Sequence, residues 1–374
     1  MKALVLSVTA GGGHLAAAQA ISGELESRGA TTTVLDIYEY LNKFIHTAID
    51  KGYTLSTERV SVSYRALYSF LENRQKTPLD KLDPVTLVNM LCAMRFERFT
   101  DSYDPDCIIC THPLAAQIVN GLITRKKIAA LTIGIITDFT ILPYWEACPE
   151  IDYVVIAGEM LRHRAISRGI SIERLLPIGI PIKSKFAISI NKSTAREQLS
   201  LPQDLPMVLV MAGSMGYGKI EKVIEELLVL TRKLFVVAVC GNNQKLFETL
   251  IELNGGQSRS DRLLVYGYSD QIDLLMDAVD CIITKPGGLT VSEALAKRLP
   301  MILVSPIPGQ EERNTEFLMN TGAAIRVTRT LPIDEAVSML FDNPGRVRIM
   351  RESIDMISKP RAVHDLVDFI YRHT

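Results

Sequence analysis

Long apolar runs and net charge are both scarce in this sequence, and each scarcity excludes a class of protein. No apolar run reaches the roughly 18 residues that a membrane-spanning helix needs, so we predict no such helix. Basic and acidic residues nearly balance, 41 against 42, which gives no overall attraction for a nucleic acid. The first residues predict a strand and a glycine turn instead of a signal peptide. We therefore expect a cytoplasmic protein with no nucleic-acid partner.

Cysteines are few and scattered, six in all. Cys107 and Cys110 have a spacing that suits redox or metal chemistry, but they lie in an apolar run that predicts a strand. Positions i and i+3 of a strand face opposite ways, so the two thiols would not meet. We predict that both pack in the core of a protein from a reducing compartment.

The length of 374 residues and an apolar content of 47% predict two globular domains. Apolar strands alternate with helices in two halves, and each half has a glycine loop after its first strand. This alternation predicts an α/β fold with two doubly wound, Rossmann-like domains. We place the first domain at 1–183 and the second at 184–355, with a closing helix at 356–374.

The stretch from residue 280 to residue 298 carries a ligand-binding pattern. A buried strand at 280–284 is predicted to stop at Lys285-Pro286-Gly287-Gly288, and a helix should follow from Leu289. Glycines let backbone N–H groups approach a ligand, and a helix N-terminus favours an anion. Glu293 on the second turn suits a pair of ribose hydroxyls, since a carboxylate repels phosphate. The alternative is an ordinary turn followed by an acidic helix start.

Two further segments of the second half carry suitable groups. Pro308-Gly309-Gln310-Glu311 with Asn314 begins a helix with sugar-type hydrogen-bonding groups. The loop Gly213-Ser214-Met215-Gly216 follows another predicted strand and suits a phosphate, although it lacks the lysine-serine ending of a P-loop.

The glycine loop of the first half has two interpretations. Gly11, Gly13 and Ala16, with Asp36 about 20 residues on, match a dinucleotide-binding fingerprint. That interpretation leaves His14 unexplained. A neutral imidazole at a helix N-terminus is instead suited to accept a hydroxyl proton. A plain capping or packing role for His14 stays open.

Residues 40–100 interrupt the alternation of strands and helices. They predict two or three helices in which aromatic residues are interleaved with nine basic and six acidic residues. Such helices suit an anionic membrane surface or a lipid acceptor, and a solvated helical insertion is the alternative. From residue 106 the alternation resumes, and Asp138 follows the strand predicted at 130–136. Because α/β sheets bind ligands at the carboxyl ends of strands, Asp138 is a second candidate carboxylate.

The motifs KPGGLTVSEAL and PGQEERN resemble the donor half of the GT-B glycosyltransferases, and GGGHLAAAQAI resembles their acceptor-side loop. The resemblance extends over nearly the whole chain. It is to the monogalactosyldiacylglycerol synthase and processive diacylglycerol beta-glucosyltransferase family, which is related to MurG within glycosyltransferase family 28.

This resemblance implies two Rossmann-like domains facing across a cleft, with the last helix crossing back to the first domain. It implies inverting transfer of a hexose from a UDP-sugar, with His14 as the general base and Asp138 in reserve, and without a metal or cofactor. Two positions depart from the family pattern: Leu142 stands where a histidine usually precedes Trp145, and Lys183 replaces the usual arginine. Lysine keeps the charge but loses the bidentate fork.

The resemblance also assigns the remaining site residues. The acceptor side would comprise Gly12, Gly13, His112 and Trp145. The donor side would comprise Lys183, Gly213, Ser214, Met215, Gly216, Tyr268, Pro286, Gly287, Gly288, Leu289, Thr290, Glu293, Gln310, Glu311 and Asn314.

The implied acceptor is diacylglycerol or a glycosyl-diacylglycerol, reached by a peripheral protein on the inner face of the cell membrane. Glucose and galactose both remain open as the transferred sugar. Three other functions stay open as well: a UDP-sugar 2-epimerase of the same architecture, MurG-like transfer of N-acetylglucosamine to a lipid-linked acceptor, and a non-catalytic UDP-sugar sensor.

Overall fold

The computed structural model describes residues 1–8, 12–37, 40, 96–211 and 220–374. Most of the insertion predicted at 40–100 and the whole glycine loop at 213–216 therefore lie outside the described residues. The chain forms two compact units. The first comprises Met1–Ser184, Pro308–Gln310 and Arg361–Thr374, and the second comprises Lys185–Ile307 and Glu311–Pro360. The domain boundaries predicted from the sequence stay predictions.

The first unit is built on a six-stranded, fully parallel sheet in the order β2-β1-β3-β4-β5-β6. Its strands are β1 (Lys2–Ser7), β2 (Thr31–Asp36), β3 (Cys107–Cys110), β4 (Leu131–Ile135), β5 (Tyr153–Val155) and β6 (Leu175–Leu176). Five of the six residues of β1 and all four of β3 are buried. Continuous apolar runs of this kind form strands that are covered on both faces.

Helices cover this sheet. They are α1 (Gly13–Ser27), α2 (Pro113–Thr124), α3 (Arg162–Ser167) and the chain's last helix, α12 (Ala362–His373). Residues 96–103 are helical too. The chain reverses after α1 at Gly29, whose φ of 84° is a left-handed conformation that glycine adopts without steric cost.

The helix α12 packs against α1 within the first unit. His364 Nδ1 lies 2.9 Å from Glu24 Oε1, and Arg28 forms an ion pair with Asp368. The Tyr371 hydroxyl donates to the Arg28 carbonyl at 3.1 Å. Val363, Leu366, Val367 and Ile370 enter the core beside strand residues of the first sheet.

The second unit repeats the architecture with a six-stranded parallel sheet in the order β12-β11-β10-β7-β8-β9. Its strands are β7 (Met207–Met211), β8 (Phe235–Val239), β9 (Leu263–Tyr266), β10 (Cys281–Thr284), β11 (Met301–Leu303) and β12 (Ala324–Arg326). Its helices are α4 (Lys192–Gln198), α5 (Ile220–Leu228), α6 (Gln244–Leu253), α7 (Ile272–Ala278), α8 (Gly288–Ala296), α9 (Gln310–Asn320), α10 (Ile333–Phe341) and α11 (Pro344–Ile357).

The polar segment 185–194 is held in the second unit by hydrogen bonds to a buried ion pair. Lys297 donates to Asp277 at 2.6 Å in a buried ion pair, and it also donates to the Ile188 carbonyl. Asp277 Oδ2 accepts the backbone N–H of Ile190 at 3.3 Å. Both charges of the pair are thus satisfied by each other and by the backbone of this segment, as buried charges require.

The sequence predicts that Cys107 and Cys110 pack in the core. Both thiols lie buried in β3 and are free, which confirms this role. After β5 the chain forms a 3-10 turn at Glu159–Leu161 before α3 begins at Arg162. In the parts of the chain that the structure describes, no helix combines the length and apolar character needed to cross a bilayer.

Candidate active site

Three neighbouring strands of the first sheet end at one edge and bring polar residues together there. β3 lies between β1 and β4, and all three run parallel. His14 is the second residue of the helix that follows β1, His112 follows β3, and Asp138 follows β4. The carboxyl edge of a parallel sheet is where α/β proteins place ligands.

Two loops hold His14 in a defined tautomer. Its Nδ1 lies 2.6 Å from the carbonyl oxygen of Thr111 and 3.1 Å from the hydroxyl oxygen of Thr137. A carbonyl oxygen only accepts, so the proton must lie on Nδ1. The neutral ring therefore carries its lone pair on Nε2, which is the atom available to accept a proton.

His112 caps the helix α2. Its Nδ1 accepts the backbone N–H of Leu114 at 3.1 Å, and Pro113 occupies the first helical position. A ring nitrogen that accepts a hydrogen bond carries no proton, so the neutral His112 ring is protonated on Nε2. The rings of His112 and His14 meet edge to face, with centroids 4.7 Å apart and planes at 83°.

The surroundings favour the neutral form of both rings. Burial lowers the pKa of His14 below its ordinary value, while the negative charge of Asp138 and the Thr111 carbonyl oppose that shift. Burial lowers the pKa of His112 well below its ordinary value, and repulsion from His14 lowers it further. At neutral pH this site therefore holds an uncharged base beside a carboxylate.

In the second unit, the turn after β10 presents backbone donors at a helix N-terminus. β10 ends at Thr284, and α8 begins at Gly288 with Gly287 as a cap that supplies no side-chain hydrogen bond. Gly287 has an ordinary φ of −70°, and a Cβ atom there would meet no described atom within 4 Å. Neither backbone strain nor crowding requires a glycine here, and the predicted close approach of a ligand to this turn stays a prediction.

Two residues near the start of α9 form hydrogen bonds with the backbone of neighbouring loops, and one of these loops is the glycine turn. The Asn314 side chain is fully buried, and its amide donates to the Pro286 carbonyl at 3.0 Å. Glu311 Oε2 accepts the backbone N–H of Ile307 at 2.7 Å. The Pro-Gly-Gly turn and the motif at the start of α9 are therefore in contact through Asn314.

Comparisons with known proteins show which family the chain belongs to. The family model for monogalactosyldiacylglycerol (MGDG) synthase matches residues 14–182, and the model for the glycosyltransferase family 28 C-terminal domain matches residues 207–343. A processive diacylglycerol beta-glucosyltransferase from Bacillus pumilus (strain SAFR-032) is 30% identical over 375 residues, which cover 98% of this chain and 94% of that protein. The chain belongs to the diacylglycerol glycosyltransferase family.

Solved structures show the same fold at low sequence identity. MurG from Acinetobacter baumannii superimposes with a TM-score of 0.62 at 15% identity, with 99% of each chain covered. HepE from Anabaena in complex with UDP-glucose gives a TM-score of 0.55 at 15% identity, covering 100% of this chain and 99% of that one. These neighbours confirm the predicted GT-B architecture of two α/β domains.

The acceptor-side residues predicted from the family have distinct surroundings. Gly12 caps α1 with a φ of 68°, and Gly13 is half-buried at the first position of that helix. Trp145 is 3% exposed, and a Cβ atom on Gly134 would lie 2.5 Å from its ring. The structure therefore gives Trp145 a packing role against β4, and its acceptor contact stays a prediction. Leu142, at the family's histidine position, is buried as well.

The donor-side residues fall into three groups. Pro286 and Gly288 are buried in the turn, while Leu289, Thr290 and Glu293 are half-buried on α8. Lys183 and Tyr268 are exposed, the latter at 71%. Gln310 is grouped with the first unit, where its amide donates to Asp138 Oδ2 at 3.2 Å. Contacts of all these residues with a donor stay predictions. The remaining predicted donor residues, Gly213, Ser214, Met215 and Gly216, lie outside the described residues.

Lys285 was missed by the sequence analysis as a site residue. Its side chain lies at the carboxyl end of β10 and the residue is 8% exposed. Burial lowers the pKa of its ammonium below the ordinary value, and the nearby Glu311 carboxylate opposes that shift. A lysine placed between a buried strand and a Pro-Gly-Gly turn was the signal that could have identified it.

No cluster of three or more histidine, cysteine, aspartate or glutamate side chains able to hold a metal ion occurs among residues 1–8, 12–37, 40, 96–211 and 220–374. The metal-free reaction expected for the diacylglycerol glycosyltransferase family stays a prediction for this chain.

The first testable prediction concerns Asp138→Asn. The carboxylate favours the protonated form of His14, so its removal should lower the His14 pKa further and move the acid limb of the kcat/KM profile to lower pH. Rates between about pH 5 and pH 8 would show the shift, because the unperturbed imidazole titrates inside that range. The exposed Glu150→Gln serves as the control. Some loss of turnover at the plateau is also expected, because Asp138 stabilises the charged ring. A plateau loss as large as that of His14→Ala, with no shift of the acid limb, would instead identify Asp138 as the base.

Proposed function

We propose that the protein transfers a hexose from a UDP-sugar to diacylglycerol or a glycosyl-diacylglycerol, with inversion at the anomeric carbon. The observation that carries the proposal is the tautomer of His14: a partly buried, neutral imidazole whose Nδ1–H is fixed by Thr111 and whose Nε2 can accept a hydroxyl proton. The relative from Bacillus pumilus, named as a beta-glucosyltransferase, supports the lipid acceptor and favours glucose.

The reaction is a single displacement at the anomeric carbon. Nε2 of His14 takes the proton of the acceptor hydroxyl as its oxygen forms the new bond to that carbon. The bond from the anomeric carbon to the diphosphate oxygen breaks, and its electron pair leaves with UDP. The imidazolium that forms is stabilised by Asp138 and by the Thr111 carbonyl, the two groups that raise the His14 pKa. One displacement inverts the configuration.

The turn after β10 suits the departing diphosphate. Negative charge grows on the leaving group in the transition state, and donors that are already oriented stabilise it without reorganisation. Backbone N–H groups at the start of α8 and the ammonium of Lys285 are such groups. A contact of Lys183 with the diphosphate stays a prediction from the family resemblance. This set replaces the metal ion that other glycosyl transfers use.

Glu293 suits the ribose of the donor. It lies on the second turn of α8, half-buried, one turn beyond the glycines. A carboxylate accepts two O–H hydrogen bonds, which matches the adjacent hydroxyls of a ribose.

We infer that the protein works as a peripheral protein on the inner face of the cell membrane, where a diacylglycerol acceptor would lie. The aromatic and basic stretch predicted to contact anionic lipid falls within 40–100, which lies outside the described residues except for 40 and 96–100.

The proposal is tested by incubating the protein with radiolabelled UDP-glucose or UDP-galactose and diacylglycerol liposomes, followed by lipid extraction. We expect label in the lipid phase, more from UDP-glucose, and equal yield with a chelator present. Label only in water-soluble sugar, with its configuration changed at C2, would identify an epimerase instead. Transfer to a soluble short-chain acceptor without any binding to liposomes would remove the membrane assignment and keep the glycosyltransferase.

A second prediction of the proposed function concerns His14→Ala. Turnover should fall by about 10²–10⁴, the usual contribution of a general base, while UDP affinity is kept because the donor turn is unaltered. Saturating kinetics and calorimetric UDP titration measure the two quantities. His163→Ala, which removes an exposed histidine of α3, should change neither. Near-normal turnover of His14→Ala at saturating acceptor would transfer the base role to another group.

For Glu293→Ala the expected result is the reverse. Loss of a charged acceptor should weaken UDP binding by about 1.5–3 kcal/mol, with kcat at saturating donor much less affected. Calorimetry with UDP measures the change, and Glu316→Ala on an exposed position of α9 is the matched control. Unchanged UDP affinity would show that the ribose lies elsewhere.

A further inference from the structure

One turn of chain, residues 111–114, contacts both imidazoles of the acceptor side. The Thr111 carbonyl accepts the proton of His14 Nδ1 at 2.6 Å. The next residue, His112, accepts the Leu114 N–H at 3.1 Å and places its ring 4.7 Å from that of His14. The same short segment therefore orients one ring and packs the other against it.

The helix cap keeps His112 uncharged. Protonation of Nδ1 would remove the acceptor of the Leu114 N–H and bury a positive charge beside His14, and both changes are unfavourable. Burial and the proximity of His14 also lower the pKa of His112 well below its ordinary value. His112 therefore remains a neutral, largely apolar surface against His14 throughout the physiological pH range.

A histidine is an unusual choice for a cap. Serine, threonine, aspartate and asparagine cap helices well with much smaller side chains. The imidazole of His112 adds bulk that none of these has, and the structure directs that bulk at the edge-to-face contact with His14. Because burial is the main cause of the low pKa of His14, the ring that contributes to this burial affects His14 directly.

We propose that His112 is a positioning residue for His14: its neutral ring excludes water from the His14 imidazole and holds it in the uncharged, Nδ1-protonated form. The inference rests on the proposed function only in calling His14 the base. The effect of His112 on the protonation and tautomer of His14 stands apart from any activity.

Other described groups also face His14. Asp138, from the loop after β4, carries a negative charge and favours the protonated ring. Thr111 and Thr137 are uncharged hydrogen-bond partners. The N-terminus of α1, where His14 is the second residue, disfavours a positive charge. The ring of His112 acts in the same direction as this N-terminus, because it contributes to the burial of His14.

The test uses two substitutions of His112, one that keeps only its helix-capping function and one that keeps only its aromatic ring. His112→Asn keeps a side-chain oxygen that can accept the Leu114 N–H but removes the imidazole. His112→Phe keeps an aromatic ring but removes the cap. The exposed His163→Asn is the control. The measurement is a pH titration of His14 by 15N NMR, which reports both pKa and tautomer, together with the melting temperature and the kcat/KM profile.

We expect His112→Asn to raise the His14 titration midpoint by about half a unit or more and to reduce the Nδ1-protonated fraction. Its melting temperature should fall less than that of His112→Phe, because the helix cap is kept. The acid limb of kcat/KM should move up by the same amount. His112→Phe should leave the His14 midpoint low while the melting temperature falls.

An unchanged His14 midpoint and tautomer in a fully folded His112→Asn protein would overturn the proposal and leave His112 as a helix cap alone. If the His112→Asn protein does not fold, the test uses His112→Phe, which keeps an aromatic ring. A raised His14 titration midpoint in the His112→Phe protein would also overturn the proposal. A shifted His14 titration without a matching shift in kcat/KM would support the role of His112 and count against His14 as the base. The two hypotheses can therefore fail separately.

Discussion

The acceptor side depends on the parallel register of β1, β3 and β4. Leu6 pairs with Cys110, and Cys110 pairs with Gly134. The Thr111 N–H then donates to the Leu6 carbonyl at 2.9 Å and extends the ladder one residue beyond β3. This bond holds in place the residue whose carbonyl accepts the His14 proton. A slip of one residue would exchange the faces of β3 and remove that acceptor, so the tautomer of the base is set by the sheet.

The donor side depends on a different kind of support. The Val304 N–H donates to the Thr284 carbonyl at 3.0 Å at the edge of the second sheet, and the turn that follows lies beyond the ladder. Its backbone needs a separate partner, which the buried amide of Asn314 supplies at Pro286. Asn314, which the sequence suggested as a sugar-binding residue, thus stabilises the backbone of the turn. This explains why a buried polar group is present there at a position where an apolar residue would leave a carbonyl unsatisfied.

Strands and glycine turns were predictable because burial on both faces leaves a continuous apolar run in the sequence. β10, Cys281–Thr284, lies within the strand predicted at 280–284, and β7 is the strand predicted before the glycine loop at 213–216. β6 and β12 were missed, since two or three residues carry no periodic signal. The contact between His14 and Thr111 spans 97 positions and depends on strand register. No local pattern encodes it, nor does any pattern show that Trp145 and Asn314 are buried.

Burial has two opposite consequences for His14 in its proposed role as the base. A low pKa keeps His14 unprotonated at neutral pH, yet it also reduces the driving force for taking a hydroxyl proton. Asp138 and the Thr111 carbonyl act in the opposite direction, and their effect is greatest once the ring carries a positive charge. The ground state is therefore set mainly by the packed rings, whereas the charged state after proton transfer is stabilised by a carboxylate and a fixed carbonyl. Because these groups interact with the charged ring more strongly than with the neutral ring, in the proposed mechanism they would lower the barrier without keeping His14 protonated beforehand.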